Sequence, residues 1–183
     1  MQRSSAARKG AFVHRTAYAG TVLGPNLLSS PNSPAAGGWA TENLTYTAGQ
    51  TDPLGGTTAT LATDNAVNAA HRFFQQSTVL VNGQKYQITA YIKAGTFTGG
   101  ATISNVSGAS LNLDTVNGIC IAGGTMLTAQ ATNVGNGWFR YTGTYINTNG
   151  TTDFYIVNFA TTAAYVGTGQ TQVFWGMAWQ TST

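Results

Sequence analysis

The sequence predicts an all-β fold, an antiparallel β-sandwich or jelly roll with an extended N-terminal arm. Three observations predict it. Apolar residues recur with period two rather than the helical ~3.6. Segments rich in Thr, Val, Ile, Tyr and Phe are short and bounded by Gly or Asn, and 23 glycines punctuate the 183 residues. Charged residues make up 7% of the chain, against about 25% in an ordinary globular protein. Thr, Asn, Ser and Gln stand in their place, and threonine suits a pleated, half-exposed surface.

Residues 1–25 read as the arm, closed by "GPN". Its acid-free opening, "MQRSSAARKGAFVHR", holds Arg3, Arg8, Lys9 and Arg15. The formal net charge of +3 therefore belongs to the arm. Residues 26–183 carry only Arg72, Lys85, Lys93 and Arg140 against five acids. That balance removes the basic surface on which a nucleic-acid-binding domain would rest. No apolar run reaches the ~18 residues of a membrane span.

Residues 26–56 are loop-rich, with Pro31, Pro34, Pro53 and two Gly-Gly pairs. Strand signals crowd 57–183, joined by one earlier at 43–48. The others fall at 57–62, 101–106, 109–114, 118–122, 125–132, 138–147, 152–159 and 171–179. In "QKYQITAYIK", Tyr86, Ile88, Ala90 and Ile92 share one face, and Lys85, Gln87, Thr89, Tyr91 and Lys93 share the other. That is a strand with one buried and one wet face. The Asn-Gly of "VNGQ" predicts a hairpin joining it to "RFFQQSTVLV". "DNAVNAAHRFF" is the one segment able to hold a helical turn. At the C-terminus, Val173, Trp175, Met177 and Trp179 alternate against Phe174, Gly176 and Ala178. A strand so apolar on both faces is expected to be buried or covered by a second subunit, which makes Trp175, Met177 and Trp179 candidate interface residues. A sheet protein with so few gatekeeping charges suits an assembly that covers its edges.

Catalytic chemistry has little to work with. The imidazoles and thiol are His14, His71 and Cys120, and no nucleophile, metal or phosphate motif surrounds them. The lone Cys120 forms no intrachain disulfide and reads as a small buried hydrophobe. Most of the five acids sit beside turns, where they cap. A structural Ca²⁺ held by aspartate and backbone oxygens stays open, with no assignable ligands. The expectation is a protein that is not an enzyme and needs no cofactor. Sugar binding fits better: aromatic rings stack on sugar faces while neighbouring amides bind hydroxyls. The candidates are Trp39, Tyr46, Tyr91, Trp138 and Tyr145.

A series of motifs occurs in fixed order: "NLLSSP", "GGW", "DPLGGTTATLATD", "QQSTVLVNGQKYQITAYIKAG", "LNLDT", "VGNGWFRYTGTY" and "VFWGMAW". Together they resemble the carbohydrate-binding-module-like jelly rolls of bacteriophage virion proteins, over about residues 26–179. The resemblance implies a jelly-roll domain at 26–183. It implies that Gly137, Trp138 and Arg140 mark a structural strand start, with Trp138 packed there and Arg140 tying strands together or meeting an acid. It further implies a virion protein, made in the host cytoplasm, at the capsid surface. The first expectation is a trimeric decoration, or cement, protein anchored on the major capsid protein by its arm. Arg3, Arg8, Lys9 and Arg15 would supply charge contacts, and Phe12, Val13 and Tyr18 apolar anchors. The alternative is a head or tail fibre adhesin reading a host polysaccharide.

Overall fold

The computed structural model describes residues 21–77, 79–161 and 164–183. The arm residues Arg3, Arg8, Lys9, Phe12, Val13, Arg15 and Tyr18 lie outside them. After a single 3-10 turn at Pro34–Ala36, the chain forms strands throughout. These are β1 (Ala40–Glu42), β2 (Leu44–Gln50), β3 (Ala59–Asp64), β4 (Asn68–Ala69), β5 (Arg72–Ser77), β6 (Lys85–Ala94) and β7 (Ala101–Ser104). Then come β8 (Ala109–Asp114), β9 (Ile119–Gly124), β10 (Met126–Gly135), β11 (Trp138–Ile146), β12 (Asp153–Asn158), β13 (Tyr165–Val166) and β14 (Thr171–Thr181). Among the described residues no helix is long and apolar enough to cross a membrane.

Two six-stranded antiparallel sheets make the sandwich. The first has the order β1-β5-β12-β7-β8-β9 and the second β10-β11-β6-β14-β3-β2, with β13 and β4 as a separate small pair. This is the expected jelly-roll β-sandwich. The chain changes sheet at both edges, β1 to β2 through Asn43 and β9 to β10 through Thr125. Asn43 sits at φ 56° and its amide donates to Ala70 O at 2.8 Å. Asparagine tolerates this left-handed backbone better than most side chains do.

The core fills the space between the sheets. Tyr86, Ile88, Ala90 and Ile92 of β6 point into it, as their alternation predicts. Tyr141 and Tyr145 of β11 join them, facing Phe73, Ile103, Leu111, Tyr155 and Val157 of the first sheet. Aromatic pairs knit the layers: Phe73 meets Phe174 edge-on at 4.9 Å and Trp39 at 5.4 Å.

Three expectations are corrected here. "VNGQ" closes no hairpin, because β5 and β6 lie in different sheets. Its turn instead tops the sandwich: Gln84 donates to Val81 O, Gly83 to Asn147 O, and buried Leu80 to Thr151 O. "DNAVNAAHRFF" holds no helix; it carries β4 and enters β5. In β14 the strict alternation fails, because a bulge between Trp175 and Ala178 shifts the register against β6. Gly176, at φ 58°, makes the bulge. Phe174, Met177 and Trp179 all reach the core, each at 0% exposure. Met177 and Trp179 therefore present no interface, and Trp175 is the one that turns outward.

Upstream, the chain is tied down from Val22. Gly24 donates to Thr181 O and Leu27 to Trp179 O, while the Asn26 amide bonds Met177 O and Trp179 N–H. This segment runs beside the second half of β14, past the stretch that β3 covers.

Candidate functional site

The outer face of the second sheet presents ordered cross-strand rows. Side chains alternate across a strand, so partners in register stand side by side on one face. One row runs Thr132, Arg140, Tyr91, Trp175 across β10, β11, β6 and β14. The next is Gln130, Thr142, Thr89, Ala178, and the third Thr128, Thr144, Gln87, Gln180. With strands about 4.8 Å apart, the platform is about 14 Å across. A groove of about 440 Å³ lies over it, lined by Leu23, Gln87, Thr89, Tyr91, Gln130, Arg140, Thr142, Gly176, Ala178 and Gln180. Amides, hydroxyls, one phenol and one guanidinium thus share a single concavity, and no carboxylate enters it.

The bulge that corrected β14 also builds this site. Tyr91 and Trp175 meet edge-on at 5.1 Å. The indole N–H of Trp175 donates to Thr58 Oγ at 2.8 Å, which holds the ring beside the groove. A Cβ on Gly176 would stand 2.8 Å from Tyr91 Cδ2. Glycine there both adopts the positive φ and leaves room for the phenol ring.

Arg140 meets no acid among the described residues, which leaves the tying of strands as the role the resemblance implies for it. Among the described residues the ion pair found is Arg72–Glu42, at 2.8 Å on the other sheet. The Arg140 Nε atom is buried and has no hydrogen-bond partner there. Trp138 does pack, at 1% exposure, with Lys93 opposite it in register.

Of the five aromatic candidates for sugar stacking, Tyr91 alone lines the groove. Trp138 and Tyr145 are 1% and 0% exposed and have no free ring face. Trp39 is wedged edge-on against Phe73 and Tyr155, and Tyr46 packs against Phe73 with its hydroxyl buried. Sequence analysis did not single out the amide and hydroxyl rows as a site. Their signal was the wet face of β6, which already carries Gln87, Thr89 and Tyr91.

Each of the five carboxylates is engaged by donors of its own chain. Asp64 accepts from three backbone N–H groups and the Tyr165 hydroxyl. Asp153 accepts from Val106 N, Ser107 N, Ser107 Oγ and Phe154 N. Asp52 and Asp114 cap turns, and Glu42 pairs with Arg72. No group of three or more His, Cys, Asp or Glu side chains that could hold a metal occurs among the described residues. Burial pushes the Cys120 thiol up to about 11, which leaves it largely protonated at neutral pH.

The turn caps have a pH signature. The Thr58 hydroxyl beside Asp52, and the Asn117 side chain beside Asp114, hold both carboxyls below their ordinary 3.8. A carboxyl depressed in the folded state stabilises above its unfolded value, and that stability is lost as pH falls through the folded one. Replacing both by Asn is expected to lower the urea midpoint near pH 6, with the gap from wild type closing below about pH 4. A gap that stays constant down to about pH 2.5 would contradict this assignment.

No protein-family model matches the chain, and no curated protein matches it significantly. Solved structures of similar fold do exist. The enzymatically active domain of bacteriophage CBA120 tailspike protein 4 aligns with 15% identity and a TM-score of 0.53, over 85% of this chain and 21% of that one. The N-terminal CBM22-1-CBM22-2 tandem domain of Paenibacillus barcinonensis Xyn10C aligns with 15% identity and a TM-score of 0.51, over 86% and 46%. The CBM22-1-GH10 modules of Clostridium thermocellum endo-1,4-beta-D-xylanase 10B, complexed with xylohexaose, align with 15% identity and a TM-score of 0.50, over 86% and 28%. The chain thus spans less than half the length of each of these proteins. At such identity the likeness is one of fold.

Proposed function

We propose that this chain is a non-catalytic polysaccharide-binding β-sandwich that holds a sugar chain across the outer face of its second sheet. One observation carries the reading. A groove of about 440 Å³ is lined by amides and hydroxyls in register, with the Tyr91–Trp175 aromatic pair at one end. Such a surface suits a polymer with apolar ring faces and many hydroxyls. The engagement of every carboxylate by local donors supports binding without hydrolysis, which in most glycosidases needs a free carboxyl pair. The fold shared with carbohydrate-binding modules and a phage tailspike domain supports the adhesin alternative over capsid decoration. In a virion the domain would then touch the host surface polysaccharide. The decoration reading depends on arm residues 1–20, which lie outside the described residues.

Affinity electrophoresis against a polysaccharide panel, backed by a glycan array, tests this. Tyr91→Ala is expected to weaken retention by at least about tenfold, and Trp175→Ala by a similar factor. Both side chains are half-exposed, so the variants are expected to melt near wild type. Equal retention of the double variant would sink the groove as the binding site.

A further inference from the structure

Charge is segregated between the two sheets. Among the described residues there are four Lys and Arg side chains, and three of them, Lys85, Lys93 and Arg140, belong to β6 and β11. Lys85 and Lys93 are in phase with Tyr91 on the outward face of β6. Strands β10, β11, β6 and β14 contain no Asp or Glu at all. Glu42, Asp114 and Asp153 belong to the first sheet, Asp52 to a turn, and Asp64 is buried. Among the described residues the cations are thus concentrated on the sheet that carries the groove.

Arg140 is the cation inside it. It lines the groove, and among the described residues it has no acid partner and its buried Nε has no acceptor. An unmet buried donor is unfavourable, the more so on a charged group. Neutral sugar hydroxyls would be served by the amides and threonines alone. A carboxylate fits the planar guanidinium fork, which binds it through two parallel N–H···O bonds.

Resting on the polysaccharide reading of the groove, we propose that the sugar chain it prefers is acidic. A uronic-acid-type residue seats its carboxylate on Arg140 and its ring against the neighbouring Tyr91. Lys93, one alternation along β6 from Tyr91, extends the favourable potential toward the next acidic sugar.

The test uses the full chain, so that the basic arm is common to every arm of the comparison. Polygalacturonate, alginate and hyaluronan are immobilised in native and carboxyl-reduced forms, beside the neutral polymers xylan and mannan and the polyanion dextran sulfate. Wild type is expected to bind at least one native acidic polymer and to lose at least about tenfold when its carboxyls are reduced. Arg140→Gln is expected to lose a similar factor on the native polymer, with Arg140→Lys between the two. Equal binding of native and reduced forms, or an unaltered Arg140→Gln, overturns the acidic preference while Tyr91-dependent binding keeps the groove reading. Binding to dextran sulfate that matches the acidic sugars and ignores Arg140→Gln also overturns it, as arm electrostatics. Retention by no polymer, acidic or neutral, overturns the groove reading as well. If Arg140→Gln does not fold, Arg140→Lys and the reduced polymers decide.

Discussion

Replacing Trp179 by alanine is expected to destabilise the domain by about 3–5 kcal/mol, the usual cost of removing a buried tryptophan. Trp179 is 0% exposed. Its ring packs between Tyr86 at 6.4 Å and Tyr155 at 6.3 Å, and its indole N–H donates to Tyr145 Oη at 2.8 Å. Truncation would open a cavity at the meeting of β6, β11, β12 and β14 and leave the Tyr145 hydroxyl without this donor. Stability of a domain this size is about 5–15 kcal/mol, so the variant would stand near the edge of folding. Trp179→Phe keeps most of the volume and is expected to cost less. Urea unfolding at neutral pH measures both. An interface tryptophan would behave differently, changing the mass of the assembly in sedimentation and sparing the protomer's midpoint. A loss below about 1 kcal/mol would refute the core assignment.

Where the sequence obeys period two without interruption, it is legible. β6 shows this best: the four residues placed inside and the five placed outside stand where alternation puts them. The eleven strand segments read from the sequence all have counterparts in the sheets, because Gly and Asn bound them clearly. Sheet membership was not legible at residues 78–84, since an Asn-Gly pair fixes a turn but not which strand receives the chain. Nor was the facing of the second half of β14 legible, where one extra residue at Gly176 inverted the parity of everything after it. The isolated glycine inside a strand pattern was the available signal. That same residue hid the site, since the bulge turns Met177 and Trp179 inward while Trp175 stays outside beside Tyr91. Arg140 lies in the row with Tyr91, but its lack of an acid partner depends on where five distant acids fold, and no local pattern encodes that.

Asp64→Ala is expected to be the second severe change, at about 3–5 kcal/mol, because it orphans donors rather than merely removing an acceptor. Asp64 closes β3 at 4% exposure. Its Oδ1 accepts from Thr168, Gly169 and Gln170 N–H at 3.1, 2.7 and 2.8 Å, and its Oδ2 from the Tyr165 hydroxyl at 2.8 Å. Three consecutive backbone donors converge on one oxygen, forming a small anion nest. Alanine fills none of it. Asp64→Asn keeps one carbonyl oxygen for the backbone donors, and its amide can donate to the phenol oxygen of Tyr165. It loses only the charge assistance, so about 1–2 kcal/mol is expected. Asp64→Leu, close to Asn in shape but with no hydrogen-bonding group, is expected to fall with Ala, and that order separates the nest from simple packing. The nest also fixes the turn that delivers the chain into β14, the strand that carries Trp175. Loosening it is expected to speed amide exchange at 168–174 and to weaken polysaccharide retention without touching the groove. Unfolding midpoints for Asp64→Ala and Asp64→Asn that coincide would show that the converging N–H groups contribute little to stability.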